Sequence, residues 1–282
     1  MSPSSSAGVP QTASRATNIG RCQPAAQRQR AQAADWTRIA TAQPTSAREV
    51  AMSSVLITSA NRGLGLEFAA QYLAAGWRVY AACRHPAAAS ELVDLTKRKA
   101  ERITTLAMDV SRQESVAAAA SGLRGQAIDL LINSAGIMGA AHQRTGHIDY
   151  KSWAEVLDVN TLGPMRVTEA FTEHLARSDR KLAVTITSGM GSIADNTSGG
   201  SIAYRSSKAA VNMAMRSAAI DLRERGIACV VVNPGWVRTD MGGPNATLSV
   251  EASVSAMRKL IDTLGLPQSG KFFNYDGREY AW

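Results

Sequence analysis

A tyrosine and a lysine four residues apart, Tyr204 and Lys208, form the pattern in this sequence with the clearest chemical meaning. On an α-helix, residues i and i+4 share one face, with their Cβ atoms about 5–6 Å apart. At that separation we expect the lysine charge to lower the pKa of the phenol from its usual value of about 10 and to tune it as a proton donor near neutral pH. Any amphipathic helix can carry this spacing by chance, so the interpretation depends on the elements around the pair.

A glycine-rich loop upstream supplies a second functional pattern. Residues 55–58 predict a short buried strand, and a helix is predicted over 66–75. The loop between them contains Gly63 and Gly65. A strand, loop and helix in this order direct backbone N–H groups and the positive end of the helix dipole at a phosphate. The sequence therefore predicts a nucleotide-binding loop.

Buried β-branched runs alternate with longer amphipathic stretches along the rest of the chain. Further strands are predicted at 78–82, 103–107, 130–133, 182–187, 227–232 and 271–274, and helices at 91–99, 116–123, 152–175, 202–225 and 250–264. This alternation predicts a parallel sheet covered on both faces by helices. The expected fold class is therefore α/β, a doubly wound, Rossmann-like sheet in a single three-layer domain, with ligands beyond the carboxyl ends of the strands.

The first 51 residues differ in composition from the remainder. They are rich in Ser, Ala, Gln and Pro and poor in large apolar side chains, so we expect 1–51 to be a disordered extension. Its Arg- and Ser-rich, acid-poor composition is compatible with an organelle leader. Met52 stands where the domain would begin, and we favour an upstream start codon as the origin of the extension. Residues 52–282 suffice for one Rossmann-like domain.

Composition argues against several classes of function. The formal net charge is +8, and the extension, with six arginines and two acidic residues, contributes +4 of it, so the basic charge is poor evidence for a nucleic-acid partner. The extension has no long apolar run, and we expect no membrane anchor. The 3 cysteines and 4 histidines show no metal-ligand spacing. We therefore predict no metal site, and reduced thiols in a cytoplasmic protein.

Several motifs in a fixed order resemble those of the short-chain dehydrogenases/reductases, in particular their compact single-domain branch. In chain order they are a loop at 58–65 similar to Thr-Gly-x-x-x-Gly-x-Gly, an Asn-Ser-Ala-Gly at 133–136 similar to Asn-Asn-Ala-Gly, Asn160 in Val-Asn-Thr, Ser188 after a strand, Tyr204 with Lys208, and a run at 234–239 similar to Pro-Gly-x-x-x-Thr. Each motif is modest alone, and their ordered coincidence is specific. One departure is Ser59, which stands where the family usually has its first glycine, at some cost if the backbone there needs φ > 0.

The resemblance implies a role for each motif residue. Tyr204 would protonate a carbonyl oxygen as hydride arrives from nicotinamide, and Lys208 would lower the pKa of Tyr204 while binding the nicotinamide ribose. Ser188 would hold the carbonyl oxygen, and Asn160 would fix a local helix distortion and a water that links Lys208 to solvent. Taken singly, Ser188 could be a cap or turn serine, Asn160 a surface residue and Asn133 a turn former. Beside the Tyr/Lys pair we interpret them as functional.

Charge at the end of the second predicted strand bears on the cofactor. Enzymes that select NAD usually carry an acid there for the ribose 2′-hydroxyl, whereas this sequence has Arg84. Arg62 in the glycine loop adds a second cation whose planar fork suits phosphate, although either arginine could simply be solvated. We therefore predict NADP(H). The resemblance places Asp109 and Val110 beside the adenine and Thr239 at the nicotinamide carboxamide or the pyrophosphate.

The predicted cofactor-binding set combines the loop, the arginines and the motif positions. Its members are Ser59, Asn61, Arg62, Gly63, Leu64, Gly65, Arg84, Asp109, Val110, Asn133, Ala135, Gly136, Tyr204, Lys208, Pro234, Gly235, Val237 and Thr239. The predicted catalytic set is Asn160, Ser188, Tyr204 and Lys208.

The resulting hypothesis is an NADP(H)-dependent oxidoreductase that reduces a ketone, aldehyde or quinone carbonyl, since cells generally hold NADP reduced. Residues 61–65 and 273–277 are most similar to the sniffer-type carbonyl reductases and the C-factor group. The rival hypothesis is a dinucleotide-binding signalling or regulatory protein with incidental turnover. The longer epimerase branch would need a larger C-terminal substrate domain.

The expected partner is a small-molecule carbonyl or alcohol. Its identity would depend on the loops at 137–150, 189–201 and 241–255, whose small residues leave their conformation open. Pairing through the helices at 152–175 and 202–225 would give a homodimer or homotetramer, and we expect Met213, Met215 and Phe171 on their outer faces. A monomer is the alternative.

Overall fold

Seven strands form one parallel sheet at the centre of the protein. The computed structural model describes residues 52–282, and the expectation for 1–51 lies outside the described residues. In chain order the strands are β1 (Ser54–Thr58), β2 (Arg78–Cys83), β3 (Ile103–Ala107), β4 (Leu130–Asn133), β5 (Leu182–Ile186), β6 (Ala228–Asn233) and β7 (Phe272–Asn274). Their order across the sheet is β3-β2-β1-β4-β5-β6-β7, with all neighbours parallel. The predicted doubly wound, Rossmann-like α/β fold is confirmed.

The burial of each strand explains its sequence. β1, β4, β5 and β6 are buried along their whole length, which requires continuous apolar runs and not an alternating pattern. The edge strand β3 buries only Ile103, and its next two residues are threonines. Because the buried runs are so distinct, the predicted strand ends differ from the observed ones by no more than one residue.

Helices cover the sheet on both faces. In chain order they are α1 (Gly63–Ala74), α2 (Ser90–Arg98), α3 (Gln113–Gly122), α4 (Tyr150–Leu157), α5 (Gly163–Ala170), α6 (Thr172–Ala176), α7 (Ile202–Asp221) and α8 (Val250–Thr263). One hydrophobic cluster joins α1, α2 and α8 to the sheet, and a second joins α3, α5, α6 and α7 to the opposite face. The two clusters give the three-layer core that the alternating pattern predicts.

A π-helical turn interrupts the region predicted as one helix over 152–175. α4 ends at Leu157, the π turn spans Asp158–Leu162, and α5 begins at Gly163. Pro164 has no amide hydrogen, so it cannot donate to the carbonyl of Asn160 four residues earlier, and the regular helical ladder fails there. The prediction of a continuous helix is therefore wrong at this turn.

The outer face of α7 carries fewer apolar side chains than expected. Met213 is exposed, but Met215 and Phe171 are buried in the core, so their predicted outward position is wrong. Val211, Met215 and Ala218 follow the i, i+4, i+7 spacing of a helix face that packs on the sheet. The helical period therefore explains the burial of Met215.

Three further observations concern the whole described part of the chain. Cys83 and Cys229 are buried free thiols, whereas Cys22 lies outside the described residues. Between residues 52 and 282, no three His, Cys, Asp or Glu side chains are grouped as a metal site. In the same range, no helix has both the length and the apolar character to span a bilayer.

Candidate functional site

The carboxyl ends of β1, β4, β5 and β6 open onto one cleft of about 800 Å³. It lies where the chain reverses direction across the sheet, the position at which doubly wound folds bind ligands. The predicted residues that line it are Ser59, Arg62, Gly63, Leu64, Gly65, Gly136, Ser188, Tyr204, Lys208, Pro234, Gly235, Val237 and Thr239. The structure thus brings most of the predicted set together. Asn61, Arg84, Asp109, Val110, Asn133, Ala135 and Asn160 do not line it.

The glycine loop is folded tightly against the end of β1. A Cβ atom on Gly65 would lie 2.2 Å from the backbone oxygen of Ser59, so only glycine fits there. Ser59 itself has φ 56°, a left-handed conformation that costs a side-chain-bearing residue energy. The departure noted in the sequence therefore carries the expected strain. The first turn of α1 lines the cleft, and its leading amides have no acceptor within the helix.

Tyr204 and Lys208 lie one turn apart on α7, and both are almost fully buried. The Lys208 Nζ donates to the backbone oxygen of Ile186 at 3.0 Å and lies 5.7 Å from the centroid of the Tyr204 ring. Burial lowers the pKa of Lys208 to about 8, because a low-dielectric environment disfavours the ammonium. Lys208 can therefore gain or lose a proton close to physiological pH.

The pKa of Tyr204 moves in the direction opposite to that expected from the Tyr/Lys spacing. Burial raises it above the usual 10, and hydrogen bonding to Ser188 lowers it only in part. Desolvation of the phenolate is therefore the dominant influence on the tyrosine. The expectation of a lowered tyrosine pKa is wrong for this structure, and the phenol keeps its proton at neutral pH.

Ser188 begins a short 3₁₀ turn over Gly189–Gly191, and we call residues 188–191 the Ser188 turn. The Ser188 Oγ accepts a hydrogen bond from the amide of Met190 at 3.1 Å, so the serine caps this turn and also lines the cleft. A Cβ atom on Gly191 would lie 2.8 Å from the backbone of Lys208. The Ser188 turn is therefore packed directly against the helix that carries the tyrosine and the lysine.

Asn160 lies behind the cleft, inside the π turn, and is buried, so the surface alternative does not apply. Its Oδ1 accepts from the amide of Ile137 at 2.8 Å. Its Nδ2 donates to the Ile137 oxygen at 2.9 Å and to the Ser207 Oγ at 3.0 Å. The Ser207 hydroxyl in turn donates to the Tyr204 carbonyl at 2.8 Å. Asn160 therefore ties the loop after β4 to the helix that carries Tyr204.

Asn133 and Ala135 also support the cleft from behind. The side-chain Nδ2 of Asn133 donates to the hydroxyls of Thr168 and Thr185 at 3.1 and 3.2 Å. The Thr58 hydroxyl accepts from the amide of Ala135 at 3.1 Å. These bonds join β1, β4 and β5 at the ends that form the cleft, which is a structural contribution to the site.

Arg84, Asp109 and Val110 lie at the ends of β2 and β3. The Asp109 carboxylate accepts hydrogen bonds from the amide and the hydroxyl of Ser111 at 3.0 and 2.7 Å. Burial raises the pKa of Asp109, but the Ser111 bonds and the charge of Arg84 more than offset it, and the net pKa is lowered. Arg84 and Asp109 are therefore electrostatic neighbours, and their roles around an adenosine stay a prediction.

Arg62 lines the cleft, but its guanidinium already has a partner that the sequence did not indicate. The Arg62 Nη1 donates to the Asp240 Oδ2 at 2.5 Å, and both side chains are largely exposed. Asp240 belongs to the loop after β6, and a Cβ on Gly63 would lie 3.6 Å from the methyl group of Thr239. The ion pair therefore joins the glycine loop to the loop that follows β6.

Asn233, the last residue of β6, is a site residue that the motif reading missed. Its Oδ1 accepts from the amide of Gly189 at 3.0 Å and from that of Gly235 at 3.3 Å. Its Nδ2 donates to the Asn274 Oδ1 at 2.9 Å. Its place directly before the Pro-Gly pair was the available signal. Asn233 connects the Ser188 turn, the turn at Gly235 and β7.

Comparisons with known proteins bear on the family of this chain. A family model described as short chain dehydrogenase matches residues 53–247. The C-signal protein of Myxococcus xanthus is 48% identical over 155 residues, which cover 55% of this chain and 93% of that protein. The carbonyl reductase Sniffer of D. melanogaster has a TM-score of 0.77 and 34% identity, covering 82% of this chain and 100% of its own. The NADPH-bound carbonyl reductase from chicken fatty liver has a TM-score of 0.75 and 35% identity, covering 82% and 99%.

Proposed function

Because this chain belongs to the short-chain dehydrogenase family, we propose that it is an NADP(H)-dependent oxidoreductase that reduces a ketone, aldehyde or quinone carbonyl. The observation that carries the proposal is the meeting of Ser188, Tyr204 and Lys208 in the lining of one cleft. The likeness to a carbonyl reductase that binds NADPH supports both the reaction class and the cofactor.

The shape and donor groups of the cleft suit a dinucleotide. Its volume of about 800 Å³ is in the range of cofactor sites. The first-turn amides of α1 would bind the pyrophosphate, and Gly65 lets the loop fold tightly against the Ser59 backbone at this point, where a Cβ would clash. Arg84 would bind a 2′-phosphate, since β2 ends without an acid. NADPH, when bound, would supply the hydride.

The protein's own residues would manage the proton and the orientation of the substrate. Tyr204 would donate the proton of its Oη to the carbonyl oxygen, and its raised pKa keeps that proton available at neutral pH. The Ser188 hydroxyl would hold the same oxygen. Lys208, with a pKa of about 8, would return a proton to the tyrosine. Asn160 would keep α7, which carries Tyr204 and Lys208, in place.

The test is NADPH consumption by the full chain with quinones, dicarbonyls, aromatic aldehydes and ketosteroids, and with NADH alongside. We expect turnover of at least one class, with NADPH preferred, and its loss in Tyr204→Phe and Ser188→Ala. Unchanged turnover in both variants would contradict the assigned chemistry. Equal rates with NADH would contradict the assigned cofactor.

A second candidate function is favoured by the likeness to C-signal over 155 residues. In it the protein would bind the dinucleotide as a signalling or regulatory protein, and turnover would be incidental. Tight NADPH binding with no turnover of any carbonyl class would favour this function. The presence of Ser188, Tyr204 and Lys208 together in the cleft favours the enzyme.

We further propose that the substrate is a small carbonyl or alcohol met in the cytoplasm, without a nucleic-acid or membrane partner. Pairing as a homodimer or homotetramer is supported by the exposed side chains of Met213 and Ile220 on α7. Sedimentation of the full chain tests this, because a single species at the monomer mass of 29.9 kDa would contradict it.

A further inference from the structure

The chain after β7 folds back beside the Ser188 turn. The amide of Asn274 donates to the Arg278 oxygen at 2.8 Å, and the amide of Tyr280 donates to the Phe272 oxygen at 2.7 Å. The Tyr280 ring lies 4.9 Å from that of Phe272, a fully buried residue of β7. Tyr280 is therefore fixed to the sheet through both its backbone and its ring.

Tyr280 touches the Ser188 turn at the residue next to the serine. A Cβ atom on Gly189 would lie 2.7 Å from the Tyr280 Oη and 3.2 Å from its Cζ. The same hydroxyl donates to the Asp195 Oδ2 at 2.8 Å, farther along the loop. Gly189 is not among the residues with positive φ, so the side chain of Tyr280, and not the backbone conformation, is what requires glycine here.

Asn233 holds Gly189 from another side. Its Oδ1 accepts the Gly189 amide at 3.0 Å, while its Nδ2 is tied to Asn274 at the end of β7. Gly189 is thus held by two side chains, those of Asn233 and Tyr280, that are both anchored on β7. Because Ser188 is bonded directly to Gly189, displacement of this glycine displaces the serine.

We propose that Tyr280 is a positioning residue, which through its contact with Gly189 fixes the Ser188 hydroxyl in front of Tyr204. The inference rests on the proposed function, since it assigns a role in the same reaction. It also makes β7 and the segment behind it part of the catalytic machinery, although neither lines the cleft.

The position of Ser188 has a measurable electrostatic consequence. Hydrogen bonding to Ser188 lowers the pKa of Tyr204 and opposes the effect of burial. The charged group over the tyrosine ring is Lys208, which belongs to α7, the same helix as Tyr204. A displaced Ser188 therefore raises the pKa of Tyr204. In the reductive direction the activity of the general acid then persists to higher pH.

The experiment compares four forms of the full chain: wild type, Gly189→Ala, Tyr280→Phe and the double variant. Gly189→Ala pushes a methyl group against the Tyr280 hydroxyl, and we expect kcat to fall about tenfold or more, since a displacement of about 1 Å can cost up to ~10²-fold. Tyr280→Phe loses one hydrogen bond, for which we expect about a threefold loss. The double variant should be more active than Gly189→Ala, because the removed hydroxyl makes room for the methyl group.

Two readouts separate positioning from loss of folded protein. The first readout is the decline of kcat at alkaline pH, which should move to higher pH in Gly189→Ala and Tyr280→Phe, as in Ser188→Ala. The second is the Kd for NADPH, which should stay unchanged. Unfolding of part of the protein would lower kcat without changing the pH at which kcat declines. The matched controls are Gly122→Ala, where a Cβ meets nothing within 4 Å, and Tyr80→Phe, at a buried tyrosine of β2 outside the predicted site.

The outcomes distinguish this inference from the proposed function. If Ser188→Ala loses turnover while Gly189→Ala and Tyr280→Phe match their controls, the positioning role is overturned and the proposed function stands. If Ser188→Ala keeps full turnover, the positioning role fails, and Tyr204→Phe then decides whether the proposed function stands. If Gly189→Ala does not fold, the pH at which kcat declines in the more conservative Tyr280→Phe decides the positioning role.

Discussion

The two ends of the cleft are built in opposite ways. At the catalytic end the polar side chains are buried and bound to the backbone, with Lys208 4% and Asn160 1% exposed. At the nucleotide end the Arg62 and Asp240 side chains are 58% and 80% exposed and pair with each other. Water replaces a lost partner at the surface but not in the interior. The protein therefore fixes its catalytic geometry rigidly and leaves the charges at the nucleotide end free to rearrange.

The largest effect should come from Tyr204→Phe, which removes the proton donor and keeps the buried ring. We expect kcat to fall by about 10²–10⁴-fold, with little change in Tm or in the Kd for NADPH. Tyr80→Phe is the matched control, since its ring is likewise buried but lies in β2, outside the predicted site. Steady-state assays with the best substrate measure both. A loss of less than about tenfold would show that another group supplies the proton.

Asn160→Ala should show how strongly the buried end depends on one side chain. The substitution leaves the amide and carbonyl of Ile137 and the hydroxyl of Ser207 without their partner. Each buried unsatisfied group costs about 1–3 kcal/mol, so we expect a clear fall in the free energy of unfolding together with a lower kcat. Urea and thermal unfolding measure the first, and the NADPH assay measures the second.

The control for this substitution is Asn196→Ala. The side chain of Asn196 also accepts a hydrogen bond from a backbone amide, that of Gly199, but it lies on an exposed loop. We expect it to change stability by less than about 1 kcal/mol. Equal effects of the two substitutions would remove the distinction between buried and exposed ends.

The fold was largely predictable from the sequence because its determinants are local. The strands are buried runs that need no partner to be recognised, and β4 was predicted with its observed bounds. The helical period alone does not predict the π turn, although the family resemblance implies a local helix distortion at Asn160, because the turn arises where Pro164 breaks the ladder and Asn160 bonds to Ile137, 23 residues away. A helical period gives no sign of that bond.

The candidate site was predictable in its membership and less so in its energetics. The four-residue spacing of Tyr204 and Lys208 placed both on one helix face, but it gives no measure of burial, and burial reverses the pKa shift of the phenol. The contact of Tyr280 with Gly189 and the pairing of Arg62 with Asp240 join residues far apart in the chain. Neither contact leaves a local pattern in the sequence, so both can be identified only in the folded structure.

A smaller effect is expected at the nucleotide end from Arg84→Asp. The proposed bonds of Arg84 to a 2′-phosphate are charge-assisted, worth about 1.5–3 kcal/mol, which corresponds to a shift in the NADPH/NADH ratio of kcat/KM of about 10–10²-fold. Arg98→Asp, on the exposed end of α2, is the charge-matched control. An unchanged ratio would refute the role of Arg84 and leave the choice of cofactor to other groups.

The smallest effect is expected from Asp240→Asn, which tests whether the exposed ion pair competes with the cofactor. Removing the carboxylate frees Arg62, and exposed pairs are worth about 0.2–1 kcal/mol, so NADPH should bind up to about fivefold more tightly. The gain should shrink as salt screens the charges. Asp94→Asn, which breaks the exposed pair with Lys97, controls for net charge. If NADPH instead binds more weakly, Asp240 holds Arg62 in its binding position, and the nucleotide end is preorganised as the catalytic end is.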